Sequence, residues 1–150
     1  MTRVSKYLLD SALEEEMFRQ FWLSLSFLRD AGTVASFFTD LLTDAEEIML
    51  AKRFTIAVLI MRGRKFSEIK DTIHVSDSTI GSVNAWLKNA KPRTREILRL
   101  IIKESRWQKL LDQIDVLLDK IPPRYGTNWS RVESDKRQRR MDRRSRSELL

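Results

Sequence analysis

The sequence contains no cysteine, only one histidine, four glycines and three prolines. The absence of cysteine excludes disulfide bonds and thiolate metal ligands. One histidine without cysteine leaves too few of the usual ligands for a zinc site. The scarcity of glycine and proline, with 42% hydrophobic residues, favours a largely helical globular protein. We therefore expect neither a metal nor a cofactor.

Long hydrophobic runs are also absent. The longest, "FTIAVLIM" from Phe54 to Met61, is far shorter than the about 20 apolar residues that span a bilayer. The N-terminal stretch "MTRVSKYLLDSALEEEMF" lacks the apolar segment and cleavage site of a signal peptide. We expect a cytoplasmic protein that does not enter a membrane, and the lack of cysteine fits a reducing compartment.

Positive charge is in excess. The 150 residues include 28 Lys and Arg against 21 Asp and Glu, which gives a net charge of +7. Such a balance indicates an anionic partner, which is usually nucleic acid and less often a membrane surface. The length suits one modest domain with extensions.

The first half of the sequence predicts three helices. The first runs from Ser11 to about Arg29 and carries two adjacent apolar ridges, broader than one small neighbour would cover. A shorter helix follows from Val34 to Leu41. The third begins with the capping box "TDAE" (Thr43–Glu46) and ends at Gly63. Its predicted core positions are Leu50, Phe54, Ala57, Val58 and Met61.

A helical pattern from Thr94 to Ile121 follows the motif described next, with Trp107, Leu110, Ile114, Leu117 and Ile121 at steps of three and four. The polar stretch "KESR" (Lys103–Arg106) interrupts this apolar face and indicates a bend.

The stretch "SEIKDTIHVSDSTIGSVNAWL" (Ser67–Leu87) has the pattern of a helix-turn-helix. A short helix stops at His74, a turn position that often has positive φ, where histidine is one of the enriched non-glycine residues. Ser76 is the expected N-cap of the second helix, and Asp77 is a second candidate. The inward-facing apolar residues are Ile69, Ile73, Val75, Ile80, Val83 and Leu87. An ordinary helical hairpin is the alternative, and the surrounding basic residues favour the DNA-binding motif.

The second helix of this motif begins with small and polar residues, as a helix that approaches base edges in the major groove requires. Flanking lysines suit DNA phosphates. Asp77 is interpreted first as a cap, and an alternative is that it accepts a hydrogen bond from cytosine N4. The predicted DNA-binding residues are Lys70, Ser76, Asp77, Ser78, Thr79, Gly81, Ser82, Ala85 and Lys88.

The stretch "LLTDAEEIMLAKRFTIAVLIMRGRKFSEIKDTIHVSDSTIGSVNAWLK" resembles the Trp repressor superfamily, including its shorter relatives of unknown effector. The matching features are "LLT" followed by acidic residues, Arg53 within the long helix, Gly63 at its end, and "SEIKDTI" followed by "VS..TI..VN". The resemblance covers roughly residues 20–100 and leaves out the C-terminal third.

The resemblance implies an all-α fold and an intertwined homodimer that presents two recognition helices to a palindromic operator in double-stranded DNA. It also implies that Arg53 stands where the family places an arginine against the carboxylate of the effector. The alternative for Arg53 is an ion pair with Glu46 or Glu47. The family's second ligand arginine corresponds to Ser82 here, so we expect that tryptophan does not control binding.

These observations predict a sequence-specific DNA-binding transcriptional regulator that acts as a repressor. The alternative from another class is a helical adaptor that binds protein or RNA and uses the motif only as a core. An enzyme is not expected, because the sequence has no phosphate-binding Gly-rich loop, no His-Glu-x-x-His and no other recognisable catalytic motif.

Three regions are predicted: a Trp repressor-like helix-turn-helix domain (1–92), a C-terminal helical extension (93–121) and a basic tail (122–150). Residues 131–150 contain eight Lys and Arg and four Asp and Glu, with few apolar residues, so disorder is expected. The tail is predicted to add non-specific DNA affinity. Two alternatives stay open: a solubilising segment, or one that pairs with the acidic stretch Glu14–Glu16.

Overall fold

The computed structural model describes residues 10–122, 126 and 128–147, the side chains of the last two excepted, and this part is helical with no strand. The helices are α1 (Ser11–Leu25), α2 (Ala31–Leu41), α3 (Asp44–Met61), α4 (Phe66–Ile73), α5 (Asp77–Asn89), α6 (Pro92–Lys103), α7 (Ser105–Lys120) and α8 (Trp129–Ser147). The all-α prediction is confirmed. None of the helices in the described ranges is long and apolar enough to span a bilayer.

The chain divides into two compact units, Met1–Met49 and Leu50–Leu150, with the division inside α3. The domain boundaries predicted from the sequence are not tested by this division and stay a prediction.

The first unit has well-capped helices, and its described residues 10–49 form no buried core. The Asp10 carboxylate accepts from the backbone N–H groups of Ala12 and Leu13, which starts α1. Asp30 starts α2 in the same way, by accepting from Thr33 N–H at 2.9 Å. None of residues 10–49 is buried, and α1 ends at Leu25, four residues before the expected end. The predicted broad apolar surface is therefore exposed.

The second unit contains a hydrophobic core that includes the helix-turn-helix. Ile69 of α4 and Ile80 and Val83 of α5 are at most 1% exposed. Ile73 and Val75 are partly buried and pack against the same cluster, and Leu87 is buried at the end of this face. The inward-facing set predicted for the motif is thus confirmed.

The predicted core face of α3 was only partly right. Four consecutive residues, Ile56 to Leu59, are at most 1% exposed, so this part of α3 is covered on every side. Leu50 and Phe54, which the sequence predicted to be core residues, are 47% and 37% exposed. A single apolar face cannot describe a helix that is surrounded along part of its length.

The predicted bend near Lys103–Arg106 is a break between α6 and α7. The Glu104 carboxylate accepts from the backbone N–H groups of Arg106 and Trp107, at 2.9 and 3.2 Å, and so caps α7. Leu111, Ile114 and Leu118 of α7 are buried together with Asp115. Leu110 and Leu117, which the sequence placed on the core face, are 37% and 52% exposed.

The predicted disordered tail differs from the structure, which has the 19-residue helix α8 over Trp129–Ser147. A scarcity of apolar residues predicts disorder, whereas α8 packs through charged side chains on one face. Arg139, on that face, is only 6% exposed. The parts of the predicted tail at 123–125, 127 and 148–150 lie outside the described residues.

Candidate nucleic-acid interface

The turn between α4 and α5 is made by His74, whose φ of 54° and ψ of 63° lie in the left-handed region. His74 N–H donates to the Lys70 carbonyl, which ends α4. Lys52 Nζ donates to the His74 carbonyl at 3.4 Å and ties the turn to α3. The predicted positive φ is confirmed, and it gives the sole histidine a conformational role.

Ser76 caps the recognition helix α5, as predicted. Its Oγ accepts from the backbone N–H of Thr79 at 3.2 Å. The same Oγ lies 2.9 Å from both Ser78 Oγ and Thr79 Oγ1, so three hydroxyl groups meet at the start of α5. Because Asp77 is already the first residue of the helix, the cap is Ser76.

The outer face of α5 has short side chains and is exposed to solvent. Ser78, Ser82 and Ala85 are exposed, four and three residues apart, so they share one side of the helix. Ser82 Oγ donates to the Ser78 carbonyl at 2.9 Å, which keeps this hydroxyl close to the helix. A Cβ added at Gly81 would meet no atom within 4 Å. Nothing in the second unit's described part therefore covers this face, and a flat surface could approach it closely.

Lys70 and Asp77, both predicted at the DNA interface, form an ion pair with each other across the turn. Their side chains are 41% and 66% exposed. Lys88, near the end of α5, is exposed, and its carbonyl accepts from Arg95. The Lys70 ammonium is thus held next to a carboxylate, while that of Lys88 extends towards solvent.

Other basic residues before the recognition helix, expected to lie near phosphates, are engaged within the protein. Arg64 is 15% exposed and pairs with Asp115 of α7, which is 1% exposed. Lys65 pairs with Asp135 of α8. Charge counted along the sequence therefore overstates the charge that these residues offer to DNA.

Arg53, the candidate effector residue, is exposed on α3. It forms no ion pair with the residues that the structure describes in the second unit.

Among the predicted DNA-binding residues, Thr79 and Gly81 are half-buried, whereas Ser76 and Asp77 are exposed. The nine predicted DNA-binding residues thus lie within the helix-turn-helix, and their roles stay a prediction.

Glu68 connects the helix-turn-helix to α8. One carboxylate oxygen accepts from the Lys65 backbone N–H at 3.0 Å and closes the start of α4. The other accepts from Arg139 Nη1 at 2.7 Å. Arg139 Nε also donates to Asp119 of α7 at 3.0 Å. One buried guanidinium therefore joins α8 to two helices of the core.

Asp119 receives a second guanidinium, because Arg143 Nη2 donates to its other oxygen at 2.8 Å. Burial disfavours the ionised form of Asp119, but the hydrogen bonds from Arg143 and Arg139 outweigh this effect. The pKa of Asp119 is therefore lower than that of an ordinary aspartate. Ionised Asp119 holds two arginines of α8 against α7.

The sequence interpretation missed Glu68, Asp119 and Arg139. A signal was present in the spacing, because Asp112, Asp115 and Asp119 follow one another at steps of three and four along α7. Arg139 and Arg143 have the matching step of four on α8. Asp119 of this series binds both arginines, so charges at matching helical spacing join the two helices.

Comparison with protein families finds one that matches more than half of the chain. The model of the family described as "Trp repressor protein" matches residues 16–101. The match ends before α7 and α8. Comparisons with curated proteins and with solved structures find no match.

Proposed function

The chain belongs to the Trp repressor family, and we propose that it is a sequence-specific transcriptional repressor that binds its operator as a homodimer. The family consists of helix-turn-helix DNA-binding regulators and not of enzymes, which agrees with the regulator predicted from the sequence. Beyond family membership, we propose that DNA binding is sequence-specific and represses transcription. We also propose that the protein is a dimer and is located in the cytoplasm.

The observation that carries the proposal is the exposed face of α5. It has a serine cap at its start, small residues at Ser78, Ser82 and Ala85, and a buried opposite side at Ile80 and Val83. A recognition helix places its N-terminal residues against base edges in the major groove. Short side chains allow that approach, and serine and threonine hydroxyls hydrogen-bond to several bases.

Exposed apolar area supports the homodimer. Phe18 and Trp22 of α1 are 53% and 61% exposed, and Phe27 is 77% exposed. Ile97 and Leu100 of α6 are 49% and 63% exposed. Large apolar side chains exposed in this way within each unit are typical of a protein–protein interface. A second copy is the partner that fits a regulator with one recognition helix per chain, since operator symmetry follows dimer symmetry.

Arg53 is the residue that we propose for contact with an effector carboxylate. Tryptophan is not the proposed effector, because Ser82 offers a hydroxyl where the family's site requires a second guanidinium. That hydroxyl already donates to the Ser78 carbonyl. Isothermal titration with millimolar tryptophan should therefore show no saturable heat.

Selection of bound sites from random DNA tests the proposal. We expect an enriched palindrome whose half-sites lie one helical turn apart, about 10 base pairs, or a multiple of it. Binding should also weaken steeply with salt, because phosphate contacts release counterions. The alternative helical adaptor predicts no enriched sequence. A selection that yields no sequence preference at low salt would therefore reject the proposed function.

A further inference from the structure

We propose that α8 carries a second DNA-binding surface, which contacts phosphates beside the recognition helix through Arg137 and Arg140. We call these two residues the outer arginine pair. The inference rests on the proposed function and extends it to a helix that lies outside the residues matched by the family.

α8 has two kinds of arginine, which differ in burial. Arg139 and Arg143 face the protein, with side chains 8% and 21% exposed, and both bind Asp119. Their charges are neutralised by carboxylates of α4 and α7. These two residues hold the helix in place and are not available to a partner.

The outer arginine pair faces solvent. Arg137 and Arg140 are exposed, three residues apart and therefore on one side of the helix, and exposed Arg144 lies one turn further along. Neither member of the pair binds a carboxylate within residues 10–122 or 128–147. With Arg139 and Arg143 neutralised by carboxylates, the exposed guanidinium groups of Arg137 and Arg140 give this side of α8 its positive charge. Its charge and spacing suit the regularly spaced phosphates of a duplex.

The position of α8 favours DNA as the occupant. Arg139 binds Glu68, and Asp135 binds Lys65, so α8 is joined to the first turn of α4. In helix-turn-helix complexes the first helix of the motif crosses the DNA backbone while the second lies in the major groove. A helix fixed to α4 therefore lies beside the phosphates that flank the recognition site.

The expected effect follows from counterion release. Each phosphate neutralised on duplex DNA contributes about −0.9 to the slope of log affinity against log salt. Loss of two contacts in the variant R137Q/R140Q should therefore make the slope shallower by about 2. The ratio of the affinity of the unchanged protein to that of R137Q/R140Q should therefore fall roughly tenfold as salt rises from about 50 to about 200 mM.

The experiment measures the salt dependence of binding to a random-sequence duplex and to the selected site, with the full chain. The variant R137K/R140K keeps both charges and should retain the slope. The variant R106Q/K109Q removes the same charge from exposed positions on α7 and controls for net charge. Circular dichroism and amide hydrogen exchange of α8 should be the same in all four proteins.

The inference is supported when R137Q/R140Q alone has the shallower slope on both duplexes and selects the same sequence. An unchanged slope overturns it, as does an equal loss in R106Q/K109Q, which would report net charge only. Binding of the outer arginine pair to anionic lipid vesicles without any effect on DNA also overturns it. If the unchanged protein binds DNA with no sequence preference but R137Q/R140Q still loses slope, only the proposed function fails.

Discussion

Lys70 of α4 and Asp77 of α5 form an ion pair across the turn of the helix-turn-helix. The pair is largely exposed, so its contribution to stability is small, about 0–1 kcal/mol. Its effect is on the charge of the turn. Asp77 stands at the N-terminus of α5, where the helix dipole favours a carboxylate, and the Lys70 ammonium neutralises that carboxylate. On the proposed DNA-binding face, the turn would therefore carry an acid without a net negative charge.

The variant Asp77→Asn should bind all DNA sequences more tightly. It removes the carboxylate and releases Lys70 for a phosphate, so the salt slope should steepen by about 1. Glu96→Gln, an exposed site on α6, makes the same charge change and is the control. If D77N instead loses about 1–3 kcal/mol on the selected site and relaxes preference at one base pair, Asp77 contacts a base.

Thr79→Ala should weaken binding to the selected site by about 1–3 kcal/mol and relax the preference at one base pair. The Thr79 hydroxyl lies 2.9 Å from Ser76 Oγ at the start of α5, the end that a recognition helix places against base edges. Thr79→Ser keeps the hydroxyl and should retain most of the affinity. Competition between the selected site and single-base variants measures the effect.

Lys88→Ala should weaken binding in the same assay without changing the sequence preference, unlike Thr79→Ala. Its exposed ammonium is predicted to bind a phosphate, so its loss should weaken all sequences alike and flatten the salt slope by about 1. Should T79A and K88A behave identically on selected and random DNA, the assignment of α5 to the major groove is wrong.

Features of the fold and the site that depend on nearby residues could be predicted from the sequence, whereas contacts between residues far apart in the chain could not. The turn at His74, the cap at Ser76 and the inward residues Ile69 and Ile80 are all set by neighbours within a few residues, and they were predicted. The bond between Arg139 and Glu68 joins positions 71 residues apart. Periodicity of apolar residues carries no information about such a pair, so α8 was predicted to be disordered.

Trp22→Glu should dissociate the proposed dimer. A tryptophan that is 61% exposed in one chain costs little to replace there, whereas a glutamate at a dimer interface would have to lose its hydration. Ala12→Glu adds the same charge to the exposed first turn of α1 and should leave the dimer intact. Sedimentation at micromolar concentration should give one chain for W22E and two for A12E. A single-chain mass for the unchanged protein would contradict the dimer.

Arg139→Gln should release α8 from the second unit. Removal of this buried guanidinium takes one main partner from each of the carboxylates of Glu68 and Asp119. The loss should stay below the about 3–5 kcal/mol of a fully buried broken pair, because Asp119 keeps Arg143 and Glu68 keeps the Lys65 N–H. Amide hydrogen exchange should show lost protection over α8 while the core of α4 and α5 stays protected. Arg137→Gln, on the outer side, is the control and should leave the hydrogen-exchange protection of α8 unchanged. Protection retained in R139Q would show that other contacts hold α8.

Acid should release α8 through Asp119. Hydrogen bonds from Arg143 and Arg139 lower the pKa of Asp119 in the folded protein, so folding favours its ionised form. The unfolded value is about 3.9. The stabilisation is therefore complete above that pH, and it is lost as the pH falls through the lowered folded value. Hydrogen exchange of α8 as a function of pH should show protection falling below about pH 4.

The variant Asp119→Asn removes this carboxylate and is the control. In this variant α8 should be less protected at neutral pH, and acidification should reduce its protection less. An equal acid response in D119N and the unchanged protein would assign the titration to another carboxylate.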